Sequence, residues 1–216
     1  MNTRILSAAL LATGTFLATS TEARPFRTDA AGTTAPSVVE VEAGADWWTD
    51  RAGFGLNLKQ GITPRMDLGF HLPMSAFPDS TRAFGNAKVS AKMDLVPGMA
   101  SVAFTSDLGG ANYALNGALT RSWGSLKASA DLGGRFTAGA READLAWGVN
   151  PSYTIRAATL GAELRGDQDQ ANWWQVGAGL KLADGIAIDA GLGDDFTDGH
   201  DWHVATGIWI ALPAIR

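Results

Sequence analysis

The stretch Val38–Trp48 reads Val-Val-Glu-Val-Glu-Ala-Gly-Ala-Asp-Trp-Trp and indicates the fold of the whole chain. Its acidic residues Glu40, Glu42 and Asp46 all fall on even positions, and every odd position is uncharged. Successive side chains point to opposite faces in a β-strand, so this alternation predicts a strand with one charged face and one uncharged face.

The same alternation recurs in twelve segments of the 216-residue chain, and none of the residues on the uncharged faces is Asp, Glu, Lys or Arg. The predicted strands are 38–48, 54–61, 66–74, 87–96, 99–106, 113–121, 125–133, 143–152, 158–166, 173–182, 186–193 and 202–212. A tilted strand of about ten residues crosses the hydrocarbon of a bilayer. Because a basic residue that faces lipid at the bilayer midplane costs about 2–4 kcal/mol, the strict exclusion of charge predicts a lipid-facing side.

The connections between these segments alternate between short and long. The short ones are 61–65, 96–98, 122–124, 153–157 and 183–185, and the longer ones are 49–53, 75–86, 107–112, 134–142, 167–172 and 193–201. Short periplasmic turns and longer extracellular loops are typical of bacterial outer-membrane barrels. The sequence therefore predicts an all-β fold, a transmembrane antiparallel up-and-down β-barrel of about 12 strands over residues 38–216. A soluble sandwich of alternating strands is the alternative.

The chain begins with a predicted signal peptide over residues 1–23. A basic start at Arg4 is followed by an apolar stretch rich in Leu and Ala and then by small residues, which is the three-part layout of secreted proteins. Cleavage is expected after Ala23 or at an earlier site near Ala18, and a single-pass anchor is the alternative. Residues 24–37 are predicted to form an N-terminal periplasmic segment.

Composition excludes several other classes of protein. The absence of Cys removes disulfide frameworks and thiolate metal sites, and a formal net charge of −5 without a basic run gives no support to nucleic-acid binding. No stretch after the signal peptide is long and apolar enough for a transmembrane helix, so membrane residence must be through strands. The expected location is the bacterial outer membrane. The expected partners are outer-membrane lipid and lipopolysaccharide, the barrel assembly machinery and a small-molecule solute.

Aromatic residues cluster near the ends of the predicted strands. Those at the extracellular ends are Trp47, Trp48, Phe54, Phe84, Tyr113, Trp173, Trp174 and Trp202, and those nearer the periplasmic ends are Trp123, Tyr153 and Trp209. Because an amphipathic ring is favoured where hydrocarbon meets headgroups, we expect these side chains to form belts at the two membrane surfaces.

The beginning of the predicted mature chain resembles a known family. Residues 24–32 read Arg-Pro-Phe-Arg-Thr-Asp-Ala-Ala-Gly and lead into the Glu-rich strand at 38–42. This opening resembles that of outer-membrane transporter proteins of a phenol-degradation (MetA-like) pathway, which typically begin with Arg-Pro and continue with Thr-Asp-Asp-Ala-Gly. Here Ala30 stands where the family usually has a second Asp. The resemblance implies a barrel that passes small aromatic or hydrophobic molecules, and it implies no defined catalytic or binding residues.

The charged faces are expected to line the barrel interior, which is the first candidate site. The predicted lumen-lining residues are Glu40, Glu42, Asp46, Lys59, Asp67, His71, Lys88, Lys92, Asp94, Lys127, Asp131, Asp144, Glu163, Arg165, Lys181, Asp189 and His203. Acidic and basic residues are interspersed, so ion pairs between neighbouring strands could neutralise them. Two interpretations stay open, a selective pore and a polar filling, because twelve strands lie between small filled barrels and wide aqueous porins.

The run Gly193–His203 is the second candidate site, because it contains Asp194, Asp195, Asp198 and Asp201. Four carboxylates could supply oxygen ligands to Ca²⁺, although their spacing does not match an EF-hand loop. An exposed acidic loop is the preferred interpretation, and we predict no cofactor and no metal site.

An enzyme is the rival class, because some small outer-membrane barrels act on lipid. Such an enzyme needs a nucleophile, a base and an orienting group, whereas the chain has only His71, His200 and His203 and no Gly-x-Ser-x-Gly motif. Ser75 lies on the same predicted strand face as His71 but about 13 Å further along, which is too far for a direct hydrogen bond. We therefore predict no enzymatic activity.

The predicted function is that of a passive channel or transporter for small solutes, with selectivity set by the inward charges. The loop Ser75–Asn86, which contains Pro78, Arg82 and Phe84, is the candidate gate because of its length. A structural or adhesive barrel with a closed lumen is the main alternative, and a lipid-modifying enzyme is a more distant one.

Overall fold

A computed structural model describes residues 29–49, 51–77, 84–109, 112–139, 143–168, 170–196 and 201–213. Twelve β-strands contain most of these residues. The strands are β1 (Val38–Trp48), β2 (Ala52–Thr63), β3 (Met66–Phe77), β4 (Lys88–Val96), β5 (Ala100–Asp107), β6 (Asn112–Trp123), β7 (Leu126–Thr137), β8 (Asp144–Ile155), β9 (Ala158–Asp167), β10 (Gln170–Ala183), β11 (Ile186–Asp195) and β12 (His203–Pro213).

Each strand pairs with its neighbours in sequence, and β1 pairs with β12 to close an antiparallel barrel. The seam between β1 and β12 runs from the pair Val38–Pro213 to the pair Trp48–His203 without interruption. Closure removes the sheet edges, whose unpaired N–H and C=O groups are not tolerated in hydrocarbon. The predicted fold, a closed antiparallel barrel of twelve strands, is confirmed. Within the described residues no helix is long and apolar enough to cross a membrane.

The distribution of residues is inverted relative to that of a soluble protein. Glu40 and Glu42 are 7% and 6% exposed, whereas Leu119 and Leu132 are each 63% exposed. An exterior on which large apolar side chains are exposed on every strand is favourable only against lipid. The outer face is therefore the lipid-facing surface of a transmembrane barrel, and barrels of this kind reside in the bacterial outer membrane.

Several strands extend beyond their predicted ends. Strand β2 begins two residues earlier than predicted, β10 begins three residues earlier, and β7 ends four residues later. Only residues 168 and 169 separate β9 from β10, so this predicted long loop is as short as the turns at the other end of the barrel. The alternation of apolar and polar residues stops where a strand leaves the hydrocarbon, but backbone pairing continues past that point.

The sequence pattern is weakest around Asn150, where the structure places a proline inside a strand. Strand β8 continues through Pro151, and the following turn contains Arg156 in the left-handed region at φ 55°. Proline has no backbone N–H to donate. The side-chain Nδ2 of Asn150 donates instead to the carbonyl oxygen of Ala162 on β9 at 3.0 Å. This bond supplies a donor at the position where the backbone lacks one.

We predict that the outer face tolerates charge according to depth. Leu132 lies on the outer face near the middle of β7, whereas Leu126 lies at the turn end of the same strand. Leu132→Arg should destabilise the barrel by about 2–4 kcal/mol and Leu126→Arg by about 0–1 kcal/mol, because the cost of a lipid-facing cation falls toward the interface. Urea unfolding of both variants in lipid vesicles would measure this difference. Equal losses would contradict the assignment of the bilayer midplane to Leu132.

Candidate functional site: the barrel lumen

The register identifies the inward face of every strand, because cross-strand partners in an antiparallel ladder share a face. The face that carries Glu40 passes to Lys59 on β2 and to Ala211 on β12, and successive pairings carry it around the barrel. Its acidic residues are Glu40, Glu42, Asp46, Asp67, Asp94, Asp107, Asp131, Asp144, Glu163, Asp167, Asp189 and Asp195, and its basic residues are Lys59, Lys88, Lys92, Lys127, Arg135, Arg165 and Lys181. His71 and His203 lie on the same face, so the register brings together every residue of the predicted lumen-lining set.

Four charged residues of the inner face are absent from the predicted set. They are Asp107, Arg135, Asp167 and Asp195, and each lies near a strand end that the sequence pattern assigned to a loop or its border. Arg135 forms an ion pair with Asp167. The backbone pairing shows that these four residues belong to strands and face inward. The alternating sequence pattern ends before it reaches them.

Three tryptophans that were expected in the interfacial belts lie on the inner face instead. Trp48, Trp173 and Trp209 all pair with inward residues, so the belt prediction is wrong for them. Adjacent residues of a strand face opposite sides. Since Trp47 and Trp174 take the outer face, the tryptophan beside each of them must point inward. Trp209 is only 5% exposed and fills part of the lumen at the turn end.

A hydrogen-bonded network covers the inner face of β1–β3 at mid-height. Lys59 Nζ donates to Glu42 Oε1 at 2.9 Å, and Asn57 Nδ2 donates to Glu42 Oε2 at 2.9 Å. Asn57 Oδ1 is in turn hydrogen-bonded to His71 Nδ1. The buried Glu42 carboxylate is compensated by a full charge and a second donor, as a buried charge requires. This part of the wall is therefore a fixed polar surface.

An aromatic cluster occupies the inner face at the loop end of β1, β10 and β12. The His203 ring stacks on Trp48 with a centroid distance of 5.5 Å and meets Trp173 edge-on at 5.6 Å. His203 Nε2 lies 3.2 Å from Oε1 of Gln175, which is 1% exposed. The buried amide fixes the imidazole, and the imidazole holds the two indoles in place on one side of the lumen.

A cavity of about 340 Å³ opens at the loop end along β4–β8. Its lining residues are Lys88, Thr105, Asp107, Asn112, Tyr113, Ala114, Arg135, Phe136, Thr137 and Asp144. Both signs of charge contribute to this wall. The volume lies at the lower end of the range of small-molecule sites, so the loop end can admit a small solute.

A stripe of glycines lines the inner face of β9–β11. Gly161, Gly177 and Gly191 are direct cross-strand neighbours. Because none of them carries a side chain, three adjacent strands take up no lumen volume at this level. The space beside this stripe is therefore not occupied by side chains of these three residues.

Lys181 lies at the turn end of β10 and contacts the adjacent turn. Its Nζ is 2.7 Å from Oδ1 of Asp184, which lies in the turn between β10 and β11, outside the spanning strands. The hydrogen bond and the positive charge of Lys181 hold the pKa of the Asp184 carboxyl below its usual value. A solvent-exposed pair of this kind adds little stability. Lys181 therefore has a local partner at the rim.

The N-terminal segment enters the barrel at the turn end. Ala31 and Thr34 are 5% and 4% exposed. The backbone N–H of Ala31 donates to Thr120 Oγ1, and that of Thr34 donates to Asp67 Oδ2, both at 2.8 Å. Both acceptors lie on the inner face. The described part of the predicted segment 24–37 is thus packed against the lumen wall.

The same segment reaches from one side of the lumen to the other. It joins β1 at Val38, and at its far end Asp29 Oδ1 lies 2.7 Å from Lys92 Nζ on β4. Asp29 also lies close to the carboxylate of Asp131 on β7. In a closed barrel of twelve strands β7 lies opposite β1. Nine residues can extend about 30 Å, so the segment is long enough to cross the lumen.

Gly61 is the position where the segment passes closest to the wall. Pro36 forms a parallel bridge with Gly61, and a Cβ added to Gly61 would lie only 2.1 Å from the carbonyl oxygen of Ala35. Ser37 then takes a φ of 64° and turns the chain into β1. Any side chain at Gly61 would therefore push the segment away from β2.

The described acidic residues of the second candidate site, Asp194, Asp195 and Asp201, do not gather into one cluster. Asp194 and Asp195 are adjacent in a strand and point to opposite faces, and Asp201 forms an ion pair with Arg51. Asp198 lies outside the described residues. Within the described parts of the chain no group of three or more His, Cys, Asp or Glu side chains is arranged to hold a metal ion.

The described ends of the loop between β3 and β4 belong to the barrel wall. Phe84 forms an antiparallel bridge with Met74, so the chain pairs with β3 before β4 begins. Pro78 and Arg82, which the gate hypothesis invoked, lie outside the described residues. The gate role of this loop stays a prediction.

Comparison with known proteins concerns the fold. No family model matches the chain, and no curated protein does. A KdgM porin superimposes with a TM-score of 0.62 at 13% identity, covering 79% of this chain and 98% of the porin. A KdgM porin in complex with disordered oligogalacturonate gives a TM-score of 0.62 at 14% identity with the same coverage. A NanC porin gives 0.60 at 10% identity, covering 81% of this chain and all of the porin.

These similarities define the class of protein. The chain has the closed barrel architecture of outer-membrane porins over nearly their whole length. At identities of 10–14% the likeness establishes the architecture, and any solute preference must be argued from the residues of this chain. The protein is an outer-membrane β-barrel.

Gly61→Ala should displace the N-terminal segment, because its Cβ would overlap the Ala35 carbonyl. The chain has no Cys, so a single Ala31→Cys reporter can be labelled with a water-soluble thiol reagent. We expect labelling to become about tenfold faster or more in the Gly61→Ala background, which corresponds to a loss of about 1.4 kcal/mol in the closing free energy of the segment.

Gly53→Ala is the matched control, because Gly53 lies on the same face of β2. Its added Cβ would meet atoms only at 3.8 Å or beyond, which is ordinary contact. This variant should label at the same rate as the reporter alone. Equal acceleration by both substitutions would show that the effect is a general loosening of β2.

Proposed function

We propose that this protein is a passive channel for small solutes across the outer membrane. The observation that carries the proposal is the separation of the two barrel faces. Among the described residues, the inward faces together carry nineteen charged residues, whereas the apolar side chains face lipid. A wall of this kind favours water and polar solutes inside the barrel.

The solute path is proposed to run from the loop-end cavity along the glycine stripe of β9–β11. The cavity provides an entrance of about 340 Å³. Beyond the cavity, on β9–β11, Gly161, Gly177 and Gly191 leave the wall without side chains at one level. The network around Glu42 and Lys59 lies on other strands, β1–β3.

The charge of the inner face favours neutral or cationic solutes. Twelve acidic and seven basic residues face inward, so the lumen has a negative formal charge. Like charges are repelled where the walls have a low dielectric constant. The oligogalacturonate bound by the similar KdgM porin is a polyanion. This lumen is not suited to a solute of that charge.

Aromatic solutes fit the same proposal. The indoles of Trp48 and Trp173 face the lumen at the loop end, where ring stacking can retain a solute briefly. The resemblance of residues 24–32 to the outer-membrane proteins of a phenol-degradation pathway points to the same class of solute. We therefore include small aromatic and hydrophobic molecules among the solutes.

A structural or adhesive barrel with a closed lumen is the second candidate. The specific observation in its favour is the filling of the turn end by Trp209 and by the segment that contains Ala31 and Thr34. A permanently closed barrel would show neither ionic conductance nor solute flux. Measured conductance therefore separates the two candidates.

An enzyme is the weaker candidate. The imidazole of His71 is bonded to the side-chain amide of Asn57, and that of His203 to Gln175 and two indoles. These contacts position the rings as parts of the wall. His200 lies outside the described residues. Lipid hydrolysis or acyl transfer that is lost on His71→Ala or His203→Ala would revive this candidate.

The proposed setting is the outer membrane with its usual partners. The lipid-facing belt would contact phospholipid in one leaflet and lipopolysaccharide in the other, and the barrel assembly machinery would insert the chain. The seam between β1 and β12 is the natural site of closure during that insertion.

Purified protein in planar bilayers should show discrete conductance steps. In a KCl gradient the reversal potential should indicate a preference for K⁺ of about twofold or more, because one excess negative charge about 9 Å from a permeating ion contributes about 0.5 kcal/mol at the dielectric constant of water. Absence of both conductance and solute flux in liposomes would leave the structural barrel as the better account.

Two glycine variants test the proposed path. Gly177→Leu places a side chain on the inner face of β10 and should lower the conductance, because it narrows the stripe between Gly161 and Gly191. Gly117→Leu is the control, since Gly117 faces outward and an added Cβ meets its nearest neighbour at 3.9 Å. Equal conductance in both variants would place the path elsewhere.

Aromatic retention is tested with a pair of ring solutes of similar size, phenol and cyclohexanol. Phenol should reduce the current at a lower concentration than cyclohexanol does. Trp173→Ala should shrink that difference about two- to tenfold, because an aromatic pair contributes about 0.5–1.5 kcal/mol. Trp174→Ala is the control, because Trp174 faces lipid. If the two variants behave alike, the cluster has no role in retention.

A further inference from the structure

We propose that the segment Asp29–Ser37 is a displaceable plug that closes the turn end of the lumen and must move aside when a solute passes. The inference rests on the proposed channel function. Two observations support it. The segment reaches from β1 to the opposite wall at β7, and its backbone N–H groups donate to inner-face side chains. A chain in that position lies across the exit of the path.

The contacts of the segment are spread over one half of the barrel. They reach Gly61 on β2, Asp67 on β3, Lys92 on β4, Thr120 on β6 and Asp131 on β7. These strands follow one another around the wall from the point where the segment leaves β1. The segment is therefore held across the lumen, and it does not merely line one strand.

The segment is held mainly by polar contacts. Its buried side chains are Ala30, Ala31 and Thr34, all of them small, so little apolar area is removed from water by its docking. The acceptors and donors that hold it are a hydroxyl, carboxylates and an ammonium group. Water and polar solutes can satisfy the same groups. When the segment leaves the lumen, water can therefore take over most of the hydrogen bonds that held it.

The strands of the barrel wall, unlike the segment, cannot be displaced by water. The strands are joined by continuous backbone ladders on both sides, including the seam from Val38 to Trp48. By contrast, only the isolated bridge between Pro36 and Gly61 ties the segment to the sheet through backbone pairing. Because Gly61 has no side chain, Ala35 can lie against β2 in the closed state; an added Cβ at Gly61 would overlap Ala35. The moving part and the fixed part are thus distinct.

The decisive experiment tethers the plug reversibly. Ala31→Cys and Thr120→Cys place two thiols beside the contact in which the backbone N of residue 31 lies 2.8 Å from Thr120 Oγ1, in a chain that has no other Cys. The oxidised pair should show at most a small fraction of the wild-type conductance, and addition of a reductant to the same bilayer should restore it at least severalfold. The comparison uses one folded molecule, so it does not depend on how well the variant refolds.

A second variant and a control complete the test. Replacement of residues 29–36 by a Gly-Ser sequence of equal length should give a larger and steadier conductance than that of the wild type. Thr154→Cys with Thr159→Cys forms the control pair, because these inward cross-strand neighbours belong to the wall, where their Oγ1 atoms lie 3.1 Å apart. Oxidation of the control pair should leave the conductance unchanged.

The outcomes separate the plug from the channel. If the tethered protein conducts equally before and after reduction, the channel stands and the plug is overturned. If the Gly-Ser replacement conducts no better than the wild type, the plug is likewise overturned. If no form conducts under any condition, the channel itself is wrong and the plug falls with it.

Discussion

The hydrogen-bonding demand of the backbone inside hydrocarbon is the constraint on which this structure depends. A strand in a bilayer has no water to satisfy its N–H and C=O groups, so every strand must have two neighbours. Twelve strands meet that demand only when β12 returns to β1, and the register between them is continuous over the full length of β1. Because the backbone ladder holds the strands together, the side chains do not have to pack into a hydrophobic core. The outer ones need only be apolar, and the inner ones are available for function.

This difference between the outer and the inner side chains explains what could be predicted from the sequence. The alternation in Val38–Trp48 and its eleven counterparts determines which residues face lipid, because one misplaced charge there is costly. The same rule, applied to the doublets Trp47-Trp48 and Trp173-Trp174, would have placed one indole of each inside the barrel. The belt expectation was wrong for Trp48, Trp173 and Trp209 because it considered position along the strand and neglected the face.

Other features could not be predicted for physical reasons. Strand ends outside the hydrocarbon are held by backbone pairing, which is insensitive to residue type, so Asp107 and Asp195 were assigned to loops. The N-terminal segment is recognised through its backbone N–H groups and through the absence of a side chain at Gly61. Neither the backbone N–H groups nor the missing side chain at Gly61 produces a recognisable sequence pattern within the segment. The sequence revealed the acceptor Asp67 and the donor Lys92 as inward charges but gave no sign of what they bind.

The order of events during folding follows from where the segment makes its contacts. The strands that hold it through the contacts described above, β2, β3, β4, β6 and β7, come from the first part of the chain, whereas the barrel closes through β12. A half-formed sheet of β1–β7 already presents every group that holds Asp29–Ser37. The last strand can then close over a segment that is already seated. On this route the segment Asp29–Ser37 does not have to thread into a finished barrel.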